Sequence, residues 1–178
     1  MGLSPKVVRE SVMRRMEIVN STGSYSGMEK VALKRLAQLM QCDASEIAIT
    51  HNVSEGINIA AWALPLQKGD EVILTDHEHV GNALPWLNRK RKDGIEIKML
   101  KLPDTAEECL DRIKALITPK TKVIAVPHIT CTTGQVLPIK AICTYAKSKG
   151  IYTLIDGAHG VGMLNLDVKD LGCDMYAS

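Results

Sequence analysis

Ile151-Tyr152-Thr153-Leu154-Ile155-Asp156-Gly157-Ala158-His159-Gly160 reads as an apolar strand that ends on a carboxylate and breaks into a glycine-bounded turn. A carboxylate at the mouth of a buried strand is costly to place there unless a cationic partner meets it. Open α/β sheets bind their ligands beyond the carboxyl ends of the strands, which is where Asp156 falls. Upstream, Pro138 opens a helical pattern without needing a backbone donor, and Gly150 closes it. The unit is therefore helix, strand, polar turn.

Working outward, the same unit recurs. Apolar runs predict strands at 47–50, 71–75, 95–100, 122–126 and 151–155, and amphipathic spacing predicts helices at 55–64, 82–92, 106–117 and 138–149. This alternation predicts an α/β fold with a mainly parallel sheet flanked by helices. Residues 1–45 read as a helical segment: Ser4-Pro5 resembles a helix start, the pattern runs to about Val19, residues 20–24 break it, and Glu29 to Met40 resumes it. These helices read as core elements without chemistry.

Four polar turns share the predicted carboxyl edge: 50–56, 76–82, 127–134 and 156–160. In the first, Ser54 either caps a helix or offers its hydroxyl to an anion, with the N–H groups of Glu55 and Gly56 expected to point the same way. In the second, His77 and His79 alternate on one side of an extended segment, as a metal pair, as part of an ordinary polar loop, or as an imidazole facing a planar ring. In the third, His128 either braces the loop or touches a ligand, and Cys131 is either a nucleophile or a lining thiol. In the fourth, His159 can turn back toward Asp156. No G-x-G-x-x-G, G-x-x-x-x-G-K-[ST] or G-x-S-x-G motif is present, which argues against a dinucleotide site, a P-loop and a hydrolase elbow.

Composition narrows the classes further. The net charge of +2 gives no reason to expect nucleic acid, and with no Phe and only 2 Trp a base-stacking surface is poorly supplied. The basic run Arg89-Lys90-Arg91-Lys92, followed at once by Asp93, is expected to be a solvated helix end. Five cysteines, at 42, 109, 131, 143 and 173, show no paired or zinc-like spacing, and no apolar run reaches the ~18 residues of a membrane span. With no signal-peptide pattern, a cytoplasmic setting and no membrane association are expected.

Taken together, Thr50-His51-Asn52-Val53-Ser54-Glu55-Gly56-Ile57-Asn58, Glu78-His79 with Asn82-Ala83-Leu84-Pro85-Trp86, residues 128–134, and Asp156-Gly157-Ala158-His159 resemble the class V aminotransferase and cysteine desulfurase-like branch of the fold type I pyridoxal-phosphate enzymes. The resemblance implies pyridoxal 5'-phosphate as cofactor and no metal. It implies that Ser54, with the amides of Glu55 and Gly56, binds the phosphate. It further implies that His79 stacks on the pyridine ring, that Asp156 accepts a hydrogen bond from the protonated ring nitrogen, and that Cys131 and His159 lie near the ring oxygen. His79 and Asp156 would be the catalytic pair. Cys131 stands where desulfurases commonly have Asn, and a thiol is the poorer donor.

The same resemblance implies an amino-acid substrate, a homodimer, and a lysine that holds the cofactor aldehyde. In relatives that lysine closes a Ser-x-His-Lys-like segment after a strand resembling residues 172–178. None of Lys120, Lys122, Lys140, Lys147, Lys149 or Lys169 occupies that position, so residues 46–178 are expected to be a partial cofactor-binding domain, truncated before the lysine, with little turnover alone. The leading expectation for the intact parent is a class V aminotransferase-like enzyme. The alternatives are a cysteine desulfurase or another lyase or epimerase of the family, a non-catalytic cofactor-binding or structural fragment, and a nucleotide-binding α/β protein.

Overall fold

Alternating β-branched and aliphatic residues give each central strand two buried faces, so the sheet must be covered on both sides. The computed structural model, which describes residues 3–24 and 28–178, shows how. Its helices are α1 (Lys6–Thr22), α2 (Met28–Met40), α3 (Val53–Ala63), α4 (Val80–Asp93), α5 (Ala106–Leu116), α6 (Ile139–Ser148) and α7 (Val168–Leu171). Its strands are β1 (Glu71–Thr75), β2 (Glu96–Leu100), β3 (Thr121–Pro127), β4 (Tyr152–Asp156) and β5 (Met175–Ala177).

The five strands form one sheet in the order β2-β1-β3-β4-β5, and every pairing is parallel. Ile73, Ile124, Val126 and Ile155 point to one face, where Cys109 and Ile113 of α5 and Ile139, Ile142, Cys143 and Ala146 of α6 cover them. Val72, Leu74, Val123, Ala125 and Leu154 point to the other, under Ile57 and Ala61 of α3 and Trp86 of α4. The chain leaves β1 toward β2 on one side and returns across β1 to β3 on the other. The direction of winding thus reverses between β1 and β3, the place where such sheets open a crevice at their carboxyl ends.

The predicted architecture holds, with four local corrections. Residues 47–50 form no strand: they follow a 3-10 turn at Ala44–Glu46 and run extended with no ladder partner, leaving Ile49 58% exposed. The fifth strand is β5 at the sheet edge instead. Helix α1 continues to Thr22, where Gly23 at φ 64° ends it, and it buries no residue, so it is not a core helix; in α2 only Ala37 is buried among the described side chains. Helix α4 starts two residues earlier than the periodicity suggested because His79 caps it.

Arg89 is the fourth correction. It is 4% exposed, and its Nη1 donates to the carbonyls of Ala61 at 2.7 Å and Leu64 at 2.9 Å while Nε donates to Asp93 at 2.7 Å. The guanidinium satisfies carbonyls at the end of α3 that have no intrahelical partner. The rest of the run is solvent-facing, with Lys90 paired to Glu96 and Lys92 over the Trp62 ring.

Candidate active site

The first turn of α3 is built by its cap. Asn52 Oδ1 accepts from the Glu55 N–H at 3.0 Å, and the Asn52 carbonyl accepts from Gly56 at 3.3 Å. The Glu55 carboxylate reaches back to the His51 N–H at 2.6 Å and lies 2.9 Å from His51 Nδ1. The amides of Glu55 and Gly56 are thus already engaged, and neither residue lines the cleft, contrary to the sequence expectation. The first two helical N–H groups, those of Val53 and Ser54, are the ones left without an intrahelical acceptor, and both residues line the cleft.

The turn after β1 brings a second helix start to the same place. His79 is the N-cap of α4, and its Nδ1 accepts from the Gly81 N–H at 3.0 Å. Gly81 packs so closely on α3 that a Cβ there would lie 2.3 Å from Ser54 Oγ. Sequence reasoning missed Gly81; its only signal was a glycine in the first turn of a helix, where propensity disfavours it. His77 does not join His79, because its Nδ1 lies 3.0 Å from Asp76 Oδ1 and it is absent from the cleft wall. Among the described residues no group of three or more His, Cys, Asp or Glu is placed to hold a metal ion.

Asp156 closes β4 opposite these helix starts and is 6% exposed. Its Oδ1 accepts from the Ala158 N–H at 3.0 Å, and its other oxygen has no donor among the described residues. Burial pushes its pKa above the usual carboxylate value, while the Ala158 N–H and the nearby His79 and His159 pull it back. A carboxylate with one oxygen tied to the backbone and the other open to the cleft is a site for a cation that also donates a hydrogen bond.

The turn that follows Asp156 is shaped from below. The Tyr176 ring of β5 lies so near that a Cβ at Gly157 would fall 2.0 Å from its Cε1, and one at Gly160 would fall 2.0 Å from its hydroxyl. That hydroxyl is 2.9 Å from His128 Nδ1, and the two rings meet edge to face at 5.9 Å. His128 is therefore a brace and not a cleft residue. Burial pushes the Tyr176 phenol above its ordinary range and the His128 imidazole below its own.

These elements enclose a cleft of about 240 Å³ lined by Asn52, Ser54, His79, Cys131, Asp156 and His159, with Val53, Ile57 and Ile129 among its apolar walls. Of the residues singled out in the sequence, Ser54, His79, Cys131, Asp156 and His159 converge there. Glu55 and Gly56 stand behind it.

Comparison with known proteins bears on the same site. The model of the family described as aminotransferase class-V matches residues 11–178. The chain is 32% identical to the isopenicillin N epimerase of Streptomyces clavuligerus over 82% of its own length and 37% of that protein. It is 35% identical to a cysteine desulfurase of Yersinia pestis over 88% of its length and 39% of that protein. Among solved structures it superposes on the cystine C–S lyase C-DES, solved with glycine covalently linked to its pyridoxal-phosphate cofactor, with a TM-score of 0.86 and 28% identity over 97% of this chain and 49% of that one. The chain spans less than half the length of each.

The donor set fits that cofactor: the cleft is lined by the Ser54 hydroxyl with the free amides of a helix start and by a carboxylate with an open oxygen. The chain belongs to the class V aminotransferase and cysteine desulfurase family of fold type I pyridoxal-phosphate proteins.

Proposed function

We propose that this chain supplies the cofactor-binding half of an enzyme that breaks a C–S bond in a cysteine-like amino acid. The aminotransferase, desulfurase, lyase and epimerase readings all share a cofactor site of this kind, so the choice among them rests on the relatives. Cysteine desulfurases and a cystine C–S lyase stand behind the sulfur reading, and it replaces transamination as the leading one. Residues 1–45 are taken as a helical lead-in and 46–178 as part of the cofactor domain, in a protein that acts as a homodimer.

The observation that carries the cofactor chemistry is the open oxygen of Asp156 in the same cleft as Ser54 and His79. Pyridoxal phosphate, when bound, supplies an electron-poor ring that accepts the electron pair released at the substrate carbon. Asp156 holds the ring-nitrogen proton in place, since a carboxylate beside that N–H favours the cationic form. The Ser54 hydroxyl and the amides of Val53 and Ser54 hold the phosphate at a helix start whose dipole favours an anion. His79 packs on the ring face; because Gly81 occupies its Nδ1, Nε2 is the nitrogen left to carry a proton. The Cys131 thiol and His159 line the ring-oxygen side.

The test is product analysis on the intact protein with the cofactor and L-cysteine. Bound sulfane sulfur formed together with alanine is expected from desulfuration, or sulfide together with pyruvate and ammonia from elimination. A keto acid without sulfur release would sink the reading in favour of transamination. Loss of stereochemical purity without sulfur release would favour epimerisation, the second reading, to which the Streptomyces relative gives support.

A further inference from the structure

Glu78 stands next to His79 and does not line the cleft, yet its side chain makes three hydrogen bonds, more than the side chain of any residue that does. Its Oε1 accepts from the Thr75 N–H at 3.0 Å and from the Thr75 hydroxyl at 2.8 Å. Its Oε2 accepts from Asn82 Nδ2 at 2.7 Å, and the fully buried Asn82 in turn accepts from Trp86 Nε1 at 3.4 Å. One carboxylate therefore ties the last residue of β1 to the first turn of α4, across the turn that carries His79. The loop between those two anchor points has few ways left to place its imidazole.

We propose that Glu78 is a positioning residue for His79: by bridging Thr75 and Asn82 it fixes the turn so that the His79 ring, capped on Gly81, stands in the cleft where the cofactor ring binds. The inference deepens the cofactor reading and rests on it for its functional consequence. Its structural half stands alone, because the bridge and the Gly81 cap exist without any ligand.

Charge supports the same assignment. Glu78 is half-buried, and burial pushes its carboxyl up to about 7, against the pull of its bonds to Thr75 and Asn82; the negative charge of Asp156 on β4 adds to the rise. His79 follows Glu78 directly in the chain, and Asp156 is the charged group on another packed element that acts on it. A group titrating near neutrality beside the ring-nitrogen carboxylate makes the hold on His79 sensitive to pH in a way that an amide at the same position would not be.

The experiment compares Glu78→Ala and Glu78→Gln in the intact protein, with and without pyridoxal phosphate. Without cofactor, hydrogen exchange of the peptide spanning residues 76–84 is expected to quicken at least tenfold in E78A and by an intermediate factor of about threefold in E78Q, whose Oε1 can still accept from Thr75 while its Nε2 meets the Asn82 donor and loses that arm. With cofactor, E78A is expected to weaken binding at least tenfold and to lose the circular dichroism of the bound ring, while E78Q, which keeps the Thr75 arm, weakens binding less than E78A and shows a flatter pH profile between 5 and 8. Unchanged exchange at residues 76–84 in E78A overturns the proposal whatever the cofactor does. Failure of the wild-type protein to bind the cofactor removes the proposed function and leaves the exchange result to judge the bridge. If E78A does not fold, Thr75→Val, which removes one arm isosterically, is expected to quicken exchange about threefold, and unchanged exchange there is the overturning result.

Discussion

Two of the turns that present side chains to the cleft, those after β1 and β4, are held by contrasting means. The turn after β1 is held by hydrogen bonds: Glu78 bridges Thr75 and Asn82, and His79 caps Gly81. The turn after β4 has one side-chain tether, from the Ala158 N–H to Asp156, and is otherwise shaped by contact, since Gly157 and Gly160 lie flush against the Tyr176 ring. Polar tethers are directional and titrate, whereas close packing tolerates no added volume and is indifferent to pH. The first turn should therefore answer to charge and the second to size.

Substitutions can break this contrast, and the greatest effect is expected where the contact-held turn begins. Asp156→Asn preserves shape and removes the charge that, in the proposed function, would keep the ring nitrogen protonated. Turnover of the intact enzyme should fall on the order of 10²-fold or more, with the fold unchanged by circular dichroism. A loss smaller than about threefold would remove Asp156 from the chemistry. Gly157→Ala comes next, because its Cβ would fall 2.0 Å from a Tyr176 ring atom. It should destabilise by about 3 kcal/mol in urea unfolding, and adding Tyr176→Ala should return part of that loss.

The hydrogen-bonded turn is sharpened by pH. The folded-state value of Glu78, about 7, lies above its ordinary 4.5, so the folded chain binds more protons between those limits and its stability falls as pH rises through them. The slope approaches about 1.4 kcal/mol per pH unit at its steepest. Asp156, also raised, adds in the same direction, while His128, depressed, works the other way below its ordinary 6.5. The difference in urea midpoint between wild type and E78Q across pH 4.5 to 7 isolates the Glu78 part. A flat difference would show that the carboxyl does not titrate there. The smallest effect belongs to Tyr176→Phe, which leaves the ring on the glycines and removes only the 2.9 Å bond to His128. About 1 kcal/mol is expected, with cofactor binding unchanged.

The two turns also differ in how far they could be read in advance. Strand periodicity located four strands, because buried parallel strands are near-continuous apolar runs. The same logic misplaced one at 47–50, since an apolar run has no way to declare that it lacks a neighbour to pair with. Polar residues at strand ends, Ser54, His79, Cys131, Asp156 and His159, stood out because unpaired polarity beside apolar runs is conspicuous. What stayed hidden depended on distant partners. Arg89 looked like part of a solvated run until the end of α3 arrived to use it. Asn52 could not be seen to take the Glu55 amide away from a ligand and leave those of Val53 and Ser54 in its place. Gly81 and Gly157 looked like ordinary turn glycines, and only Ser54 and Tyr176 give them their reason.

The strand order has a consequence for the nascent chain. β1 lies inside the sheet, but its second neighbour, β3, starts 50 residues after it, as the Glu71 to Thr121 contact records. A ribosome adding roughly 5 to 20 residues per second leaves that flank of β1 unpaired for about 2.5 to 10 s. Through that interval Val72, Ile73 and Leu74, all later sealed, are exposed to whatever else is in reach. Chaperone capture during synthesis should therefore concentrate on this short segment, before the Cys131 and Asp156 sides of the cleft have been made.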